Sequence, residues 1–221
     1  MITCKNLSYQ YGKNKLFSGI SLEVAPGECL VLAGPNGTGK TTLLSLLAGI
    51  APPKEGERTV TGSVGYVPQG CALLEDATVR ENIAFFARLS REPFPDTLPF
   101  RVGQILGKRV SSLSGGLKKQ VSIAAATVGP RDNLLLDEPC AALDISFREE
   151  LIEWLAQAKK KGMAIVFVSH DPTEFFPIFD KILFVGSGEG MLKKSELGEI
   201  GESEEKFTEY FKNQIKKGKR N

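Results

Sequence analysis

Two short stretches carry groups that could do chemistry. Residues 34–41 read GPNGTGKT, and residues 133–139 read NLLLDEP. The first matches the spacing G-x-x-x-x-G-K-[ST] and lies between an apolar run at 28–33 and a helix-like run at 42–49. A strand that ends in glycines lets successive backbone N–H groups curl around a phosphate, and the helix that follows aims its positive end at the same anion. Gly34, Pro35, Asn36, Gly37, Thr38 and Gly39 form such a cradle, with Thr42 closing it. Within it, Lys40 reaches the β and γ phosphates of a nucleotide as a point charge, and the Thr41 hydroxyl ligates Mg2+. A metal beside a triphosphate also needs an acid at the end of a neighbouring buried strand. Asp137 supplies it, and Glu138 beside it is suited to polarise an attacking water as general base.

These loops require a sheet to hold them. Short apolar segments alternate with helix-period segments, which specifies an α/β layered fold. Strands are expected at 20–24, 28–33, 63–67, 133–137, 163–169 and 181–185. The continuous β-rich runs around 30, 134 and 164 belong at the centre of the sheet, where both faces are covered. A helix is expected after Asp144 as N-cap, with Phe147, Leu151, Trp154, Leu155 and Ala158 on one face and Lys159 to Lys161 ahead of Gly162. Residues 91–100 hold three prolines and read as a loop inside a lobe over about 70–128. No internal repeat is visible. The chain therefore reads as a single domain over 1–221, with a core of 1–69 and 129–200, that lobe, and a basic C-terminal helix or tail over about 202–221.

Composition bounds the function. The 221 residues are 42% hydrophobic and 24% charged, enough for one substantial core. The apolar runs fall far short of the roughly 20 residues of a membrane span. The first residues carry no continuous apolar stretch of a secretory signal, so a cytosolic address is expected. A net charge of +2 makes no strong field toward nucleic acid, and none is expected as a partner. Lys212, Lys216, Lys217, Lys219 and Arg220 end the chain without an intervening acid, as a solvated helix end or a patch for an anionic membrane surface. Cys4, Cys29, Cys71 and Cys140 have no metal-ligand spacing and are expected to be free buried thiols.

A second glycine stretch, LSGGLKKQ at 113–120, lies just upstream of NLLLDEP. Taken with GPNGTGKTT at 34–42, it resembles the signature of ATP-binding cassette (ABC) ATPases, and the similarity runs in order over about residues 2–185. The resemblance implies a P-loop NTPase core with a mainly parallel sheet, a short antiparallel β arm and a small helical subdomain. It implies that Tyr11, in YQYG, stacks on adenine, and that Gln69, ending VGYVPQ, senses the γ phosphate and Mg2+ and faces a transmembrane partner. By the same resemblance AALD at 141–144 speaks across a dimer, with Asp144 at its fixed position, and His170, the single histidine, contacts the γ phosphate. Ser114, Gly115 and Gly116 would then close over the γ phosphate held by a second subunit. A helix N-terminus with a hydroxyl and small side chains suits that role. ATP and Mg2+ are the implied ligands, with Lys40, Gln69, Glu138 and His170 in catalysis and Thr41, Gln69 and Asp137 on the metal. A homodimer, or a heterodimer with another ABC ATPase, is the implied assembly.

Some positions depart from the family pattern. Leu117 stands where a glutamine is usual and Gln120 where an arginine is usual, which touches packing and rate and leaves the phosphate contacts in place. The span 52–62 is short, so a trimmed arm is expected. Residues 75–89 look like the corresponding segment of ATPase subunits from two-component exporters. The resemblance thus points to an ATP-hydrolysing transporter subunit, cytoplasmic and peripheral on the inner face of the cell membrane. It would dimerise on ATP and drive substrate through a separate integral membrane permease. The alternative is a soluble ABC ATPase of cluster assembly, cell division or translation. No N-K-x-D motif supports a GTPase.

Overall fold

The computed structural model describes residues 1–141, 143–188 and 190–218. Its first two strands, β1 (Ile2–Tyr11) and β2 (Asn14–Val24), precede β3 (Cys29–Ala33) and α1 (Lys40–Ala48). β4 (Glu55–Val60) and β5 (Val64–Val67) follow, then the helical segment with α2 (Val79–Leu89) and α3 (Gly115–Ala126). The chain returns through β6 (Asn133–Asp137), α4 (Ile145–Lys160), β7 (Ala164–Val168), α5 (Pro172–Phe175) and β8 (Lys181–Phe184). It closes with β9 (Leu192–Lys193), α6 (Glu199–Glu202) and α7 (Glu204–Gly218).

Six strands form one sheet in the order β5-β6-β7-β3-β8-β9, parallel throughout except for the last pair. The three runs expected at its centre are there, and every residue of β3, β6 and β7 is buried. The period of two explains why none of them alternates with polar residues. Cys29, Val31 and Ala33 join Leu134, Leu136, Ile165 and Phe167 under α4, α5 and α7, while Leu30 and Leu32 join Leu135, Val166 and Val168 under α1 and the second sheet. The α/β architecture read from the sequence is therefore the observed one.

That second sheet is antiparallel, ordered β2-β1-β4. It is the expected arm, with β4 short as anticipated, and most of it comes from β1 and β2. The strand expected at 20–24 extends back to Asn14, and β1 is an addition to the expectations. Its alternation is broken where Asn6 takes a left-handed φ of 51° and the pairing with β2 shifts register.

The helical segment has its own apolar cluster, in which Val79, Ile83 and Ala87 of α2 meet Val121, Ala124 and Ala125 of α3. Thr78 starts α2 with a capping box, accepting from the Glu81 amide at 3.2 Å while the Glu81 carboxylate accepts from the Thr78 amide at 2.7 Å. The proline-rich 91–100 is a loop, and Phe100 at its end stands edge-on to Phe147 of α4, 5.0 Å between centroids. The Asp144 carboxylate caps α4 by accepting from the Phe147 amide at 2.8 Å, as expected.

The described lysines of the C-terminal end are exposed on a helix, as expected, and the helix also packs before them. Phe207 and Phe211 of α7 are buried against Phe175, Phe179 and Phe184, and Lys212, Lys216 and Lys217 keep the outer face. Lys219 and Arg220 lie outside the described residues. Of the four free thiols, Cys71 is only half-buried, because its loop runs along the surface, while burial pushes Cys4 up to about 11 and Cys29 up to about 12. Among the described residues no helix is long and apolar enough to cross a membrane.

Candidate active site

The parallel register brings the ends of β3, β6 and β7 to one edge of the sheet, where ligands of open α/β folds bind. At this edge lies a cleft of about 600 Å3, floored by Asn36, Gly37, Gly39, Lys40, Thr41 and Thr42. Gly34 makes the exit from β3 possible. Its φ is 144°, and a Cβ there would stand 2.5 Å from the Val185 carbonyl oxygen. The Thr38 hydroxyl donates to the Pro35 carbonyl at 2.9 Å and braces the loop from within. Gly34, Pro35 and Thr38 thus shape the cradle without lining the cleft. Gly39 caps α1 with no side-chain hydrogen bond, and the first turn carries no acid, so its orphan N–H groups are available to an anion.

Lys40 is buried, and its Nζ donates to the carbonyls of Gly34 at 2.9 Å and Pro35 at 2.8 Å. Burial draws its pKa down, and Glu138 and Asp137 pull it back up. Asp137 is 1% exposed, and its Oδ2 has no hydrogen-bond partner among the described residues. Burial raises the carboxyl above its usual range, the charge of Glu138 adds to this, and the Thr41 hydroxyl, Lys119 and Lys40 oppose it. A buried carboxylate oxygen without a partner, beside a threonine hydroxyl, is the hard oxygen donor set that Mg2+ takes. The residues present fit the metal.

Glu138 is held from two sides. Its Oε2 accepts from Gln69 Nε2 at 2.8 Å, and its Oε1 is 2.7 Å from His170 Nε2. Its backbone is left-handed, with φ 47°, a strain of roughly 1 kcal/mol or more that turns the side chain out of the β6 line. Gln69, Glu138 and His170 all line the cleft, as does Tyr11, which is 60% exposed and offers a ring face at the rim. Tyr9 instead packs under Tyr11 and against Phe17.

Ser114, Gly115 and Gly116 do not line this cleft. They open α3, with the Ser114 hydroxyl accepting from the Leu117 amide at 3.4 Å, and Ser114 and Gly115 are exposed. Among the described residues, a Cβ on Gly115 would meet nothing within 4 Å, and one on Gly116 only Leu143 Cδ2 at 3.8 Å. Asp144 also stands apart, occupied as a helix cap. Ala142, in the same AALD stretch, lies outside the described residues.

Two residues near the cleft were not read from the sequence. Lys119 of α3 is buried and donates to the carbonyls of Pro68 and Gln69. Its phase on the helix, four and seven residues before the buried Ile123 and Ala126, was the available signal. Glu174 accepts from the Ser169 hydroxyl at 2.5 Å, and Ser169 in turn braces the His170 turn through the Asp171 amide and carbonyl.

A glycine cradle between a buried strand and a helix, with acids at the end of the adjoining strand, defines a P-loop nucleotide-binding domain. The comparisons narrow the class. A family model described as ABC transporter matches residues 17–141, and the chain belongs to that family. The sulfate/thiosulfate import ATP-binding protein CysA of Synechocystis sp. is 34% identical over 225 residues, 92% of this chain and 61% of that protein. The Nod factor export ATP-binding protein I of Paraburkholderia xenovorans is 39% identical over 180 residues, 72% of this chain and 59% of that protein. The chain spans about three fifths of the length of these curated relatives. Among solved structures, an ATP binding subunit of an ABC transporter shares the fold with a TM-score of 0.79 at 23% identity, covering 90% of this chain and 91% of that one. A dimeric ATP-binding cassette in a post-hydrolysis state, bound to ADP and Pi, gives 0.75 at 22% identity over 87% of this chain and 98% of that one.

Proposed function

We propose that the chain is the ATP-binding and ATP-hydrolysing subunit of an ABC transporter, working as a dimer of cassettes beneath a separate membrane permease. On this reading it is one cassette of core and helical lobe, cytoplasmic and peripheral on the membrane. The observation that carries it is the gathering of Lys40, Gln69, Glu138 and His170 around one cleft, beside the unpartnered Asp137 oxygen. Tyr11 stacks on the base, and Lys40 leaves the two loop carbonyls for the phosphates. Glu138 takes the proton of the attacking water once Gln69 or His170 releases it, and His170 stands by the γ phosphate. Magnesium, when bound, would be held by Thr41, Asp137 and Gln69 and would neutralise phosphate charge.

The dimer is supported by the glycines that open α3. Nothing among the described residues of their own chain requires them to be small. The requirement then comes from outside, and a triphosphate on a second cassette, meeting the N-terminus of α3, supplies it. Relatives named for both import and export support transport and leave its direction open.

Glu138→Gln tests the reading. ATP binding survives, turnover falls by about 10³-fold, equivalent to about 4 kcal/mol of barrier, and the variant elutes from size exclusion with ATP as a dimer. A persistent monomer with ATP bound counts against the dimer, and unchanged turnover counts against Glu138 as base. Co-purification from membranes with a multi-span protein tests the permease.

A further inference from the structure

Lys119 is 4% exposed and makes no ion pair among the described residues. Its Nζ donates to two backbone carbonyls, Gln69 at 2.9 Å and Pro68 at 3.2 Å. Taking an ammonium out of water is costly, and an apolar side chain at this place on α3 would meet no such penalty. The position is therefore occupied for its donors. Burial draws the Lys119 pKa down, and Cys71, Asp137 and Glu138 among its neighbours raise it.

The contacts form one path. Lys119 lies one helical turn after Gly115 and holds the Gln69 carbonyl, the Gln69 side chain holds Glu138 Oε2, and Glu138 Oε1 meets His170. We infer that Lys119 is a positioning residue that ties the helix beginning at Ser114 to the segment carrying Gln69, so that the seating of α3 sets how Gln69 holds Glu138. The inference rests on the proposed ATPase reading for its consequence, although the tether itself stands on geometry alone. Movement at the N-terminus of α3 then reaches the general base through two side chains, without rearrangement of the sheet.

The test uses Lys119→Met, which keeps the length and removes the donors, and Lys119→Arg, which keeps donors. In the nucleotide-free chain, Lys119→Met lowers the backbone NMR order parameters of residues 69–72 while those of β3 and β7 are unchanged, and Lys119→Arg restores them. For ATP hydrolysis, Lys119→Met lowers kcat about tenfold with KM within about twofold. In a Gln69→Ala background it causes no further loss, because the effect passes through Gln69. Unchanged order parameters over 69–72 overturn the tether. A tenfold kcat loss that persists in the Gln69→Ala background overturns the route through Gln69 and leaves Lys119 a packing residue. A wild-type chain that hydrolyses no ATP overturns the ATPase reading alone, and the order parameters still decide the tether.

Discussion

The two glycine stretches of this chain are built on opposite logic. In the loop at 34–41 the glycines answer to their own fold. Gly34 faces the Val185 carbonyl with no room for a Cβ, and Gly39, at φ 91°, would put one 3.0 Å from the Phe17 ring. In the stretch at 113–120, Gly115 and Gly116 have helical geometry and open surroundings, and alanine would fit at either. A glycine that the surrounding chain requires says how a loop is shaped. One that the chain does not require points to something beyond it. On the proposed reading, the first loop is a finished receptor for a phosphate and the second is half of one.

Gly34→Ala is the largest challenge to this contrast. The neighbour is a backbone oxygen that cannot swing away, and the backbone is one that side chains avoid. The substitution costs about 3 kcal/mol, roughly 6–12 °C in Tm for a chain of this size, and nucleotide affinity is lost with it. Urea denaturation and titration with a fluorescent ATP analogue measure both. A variant as stable as the parent, binding as tightly, would mean that the loop is not shaped by its own chain.

Asp137 sharpens the contrast from within the finished loop. A buried oxygen without a partner costs roughly 1–3 kcal/mol, so the nucleotide-free chain carries a local tension. Asp137→Asn raises the stability of that state by about 1 kcal/mol at neutral pH and removes the magnesium dependence of nucleotide binding. The pH dependence follows from the raised carboxyl. A folded-state pKa above the ordinary 3.8 contributes stability at low pH that is lost as the pH rises through the raised value. The advantage of Asp137→Asn over the parent therefore grows with rising pH and fades in acid. Thermal melts of both proteins from below pH 4 up to pH 8 decide it, and an advantage that shrinks as the pH rises would contradict the assignment.

Much of this was legible in the sequence because it is local. The spacing of 34–41 and the run from Leu134 to Glu138 place their own chemistry, and the central strands declare themselves by having no polar residue to alternate. What was not legible depends on contacts between distant segments. Glu138 meets Gln69 across 69 positions, and Lys119 meets the Gln69 carbonyl across 50, through a register that no local period encodes. β1 was hidden by its own irregularity at Asn6. In α7 the charged residues at 204–206 and 216–217 drew attention from Phe207 and Phe211, whose spacing of four already marked a buried face.

The smallest energy in the series is the most informative about the second stretch. Gly115→Ala sits in an exposed first turn of α3 where the backbone suits any residue, so losing glycine's freedom in the unfolded chain stabilises the monomer by about 0.4–1 kcal/mol. Gly116→Ala behaves alike, since Leu143 at 3.8 Å is an ordinary contact. If a second cassette's triphosphate packs against this turn, the same methyl groups keep the phosphate off the α3 amides. ATP-dependent dimerisation in a Glu138→Gln background then weakens by about tenfold, and turnover falls with it, while nucleotide binding to the single chain is unchanged. Stability rising as assembly falls is an outcome that loss of folding cannot imitate, and denaturation curves beside size exclusion with ATP report the two together. Variants that gain stability and still dimerise as the parent does would show that the glycines are not there for a partner. The contrast between the two stretches would then reduce to one phosphate loop and one permissive helix start.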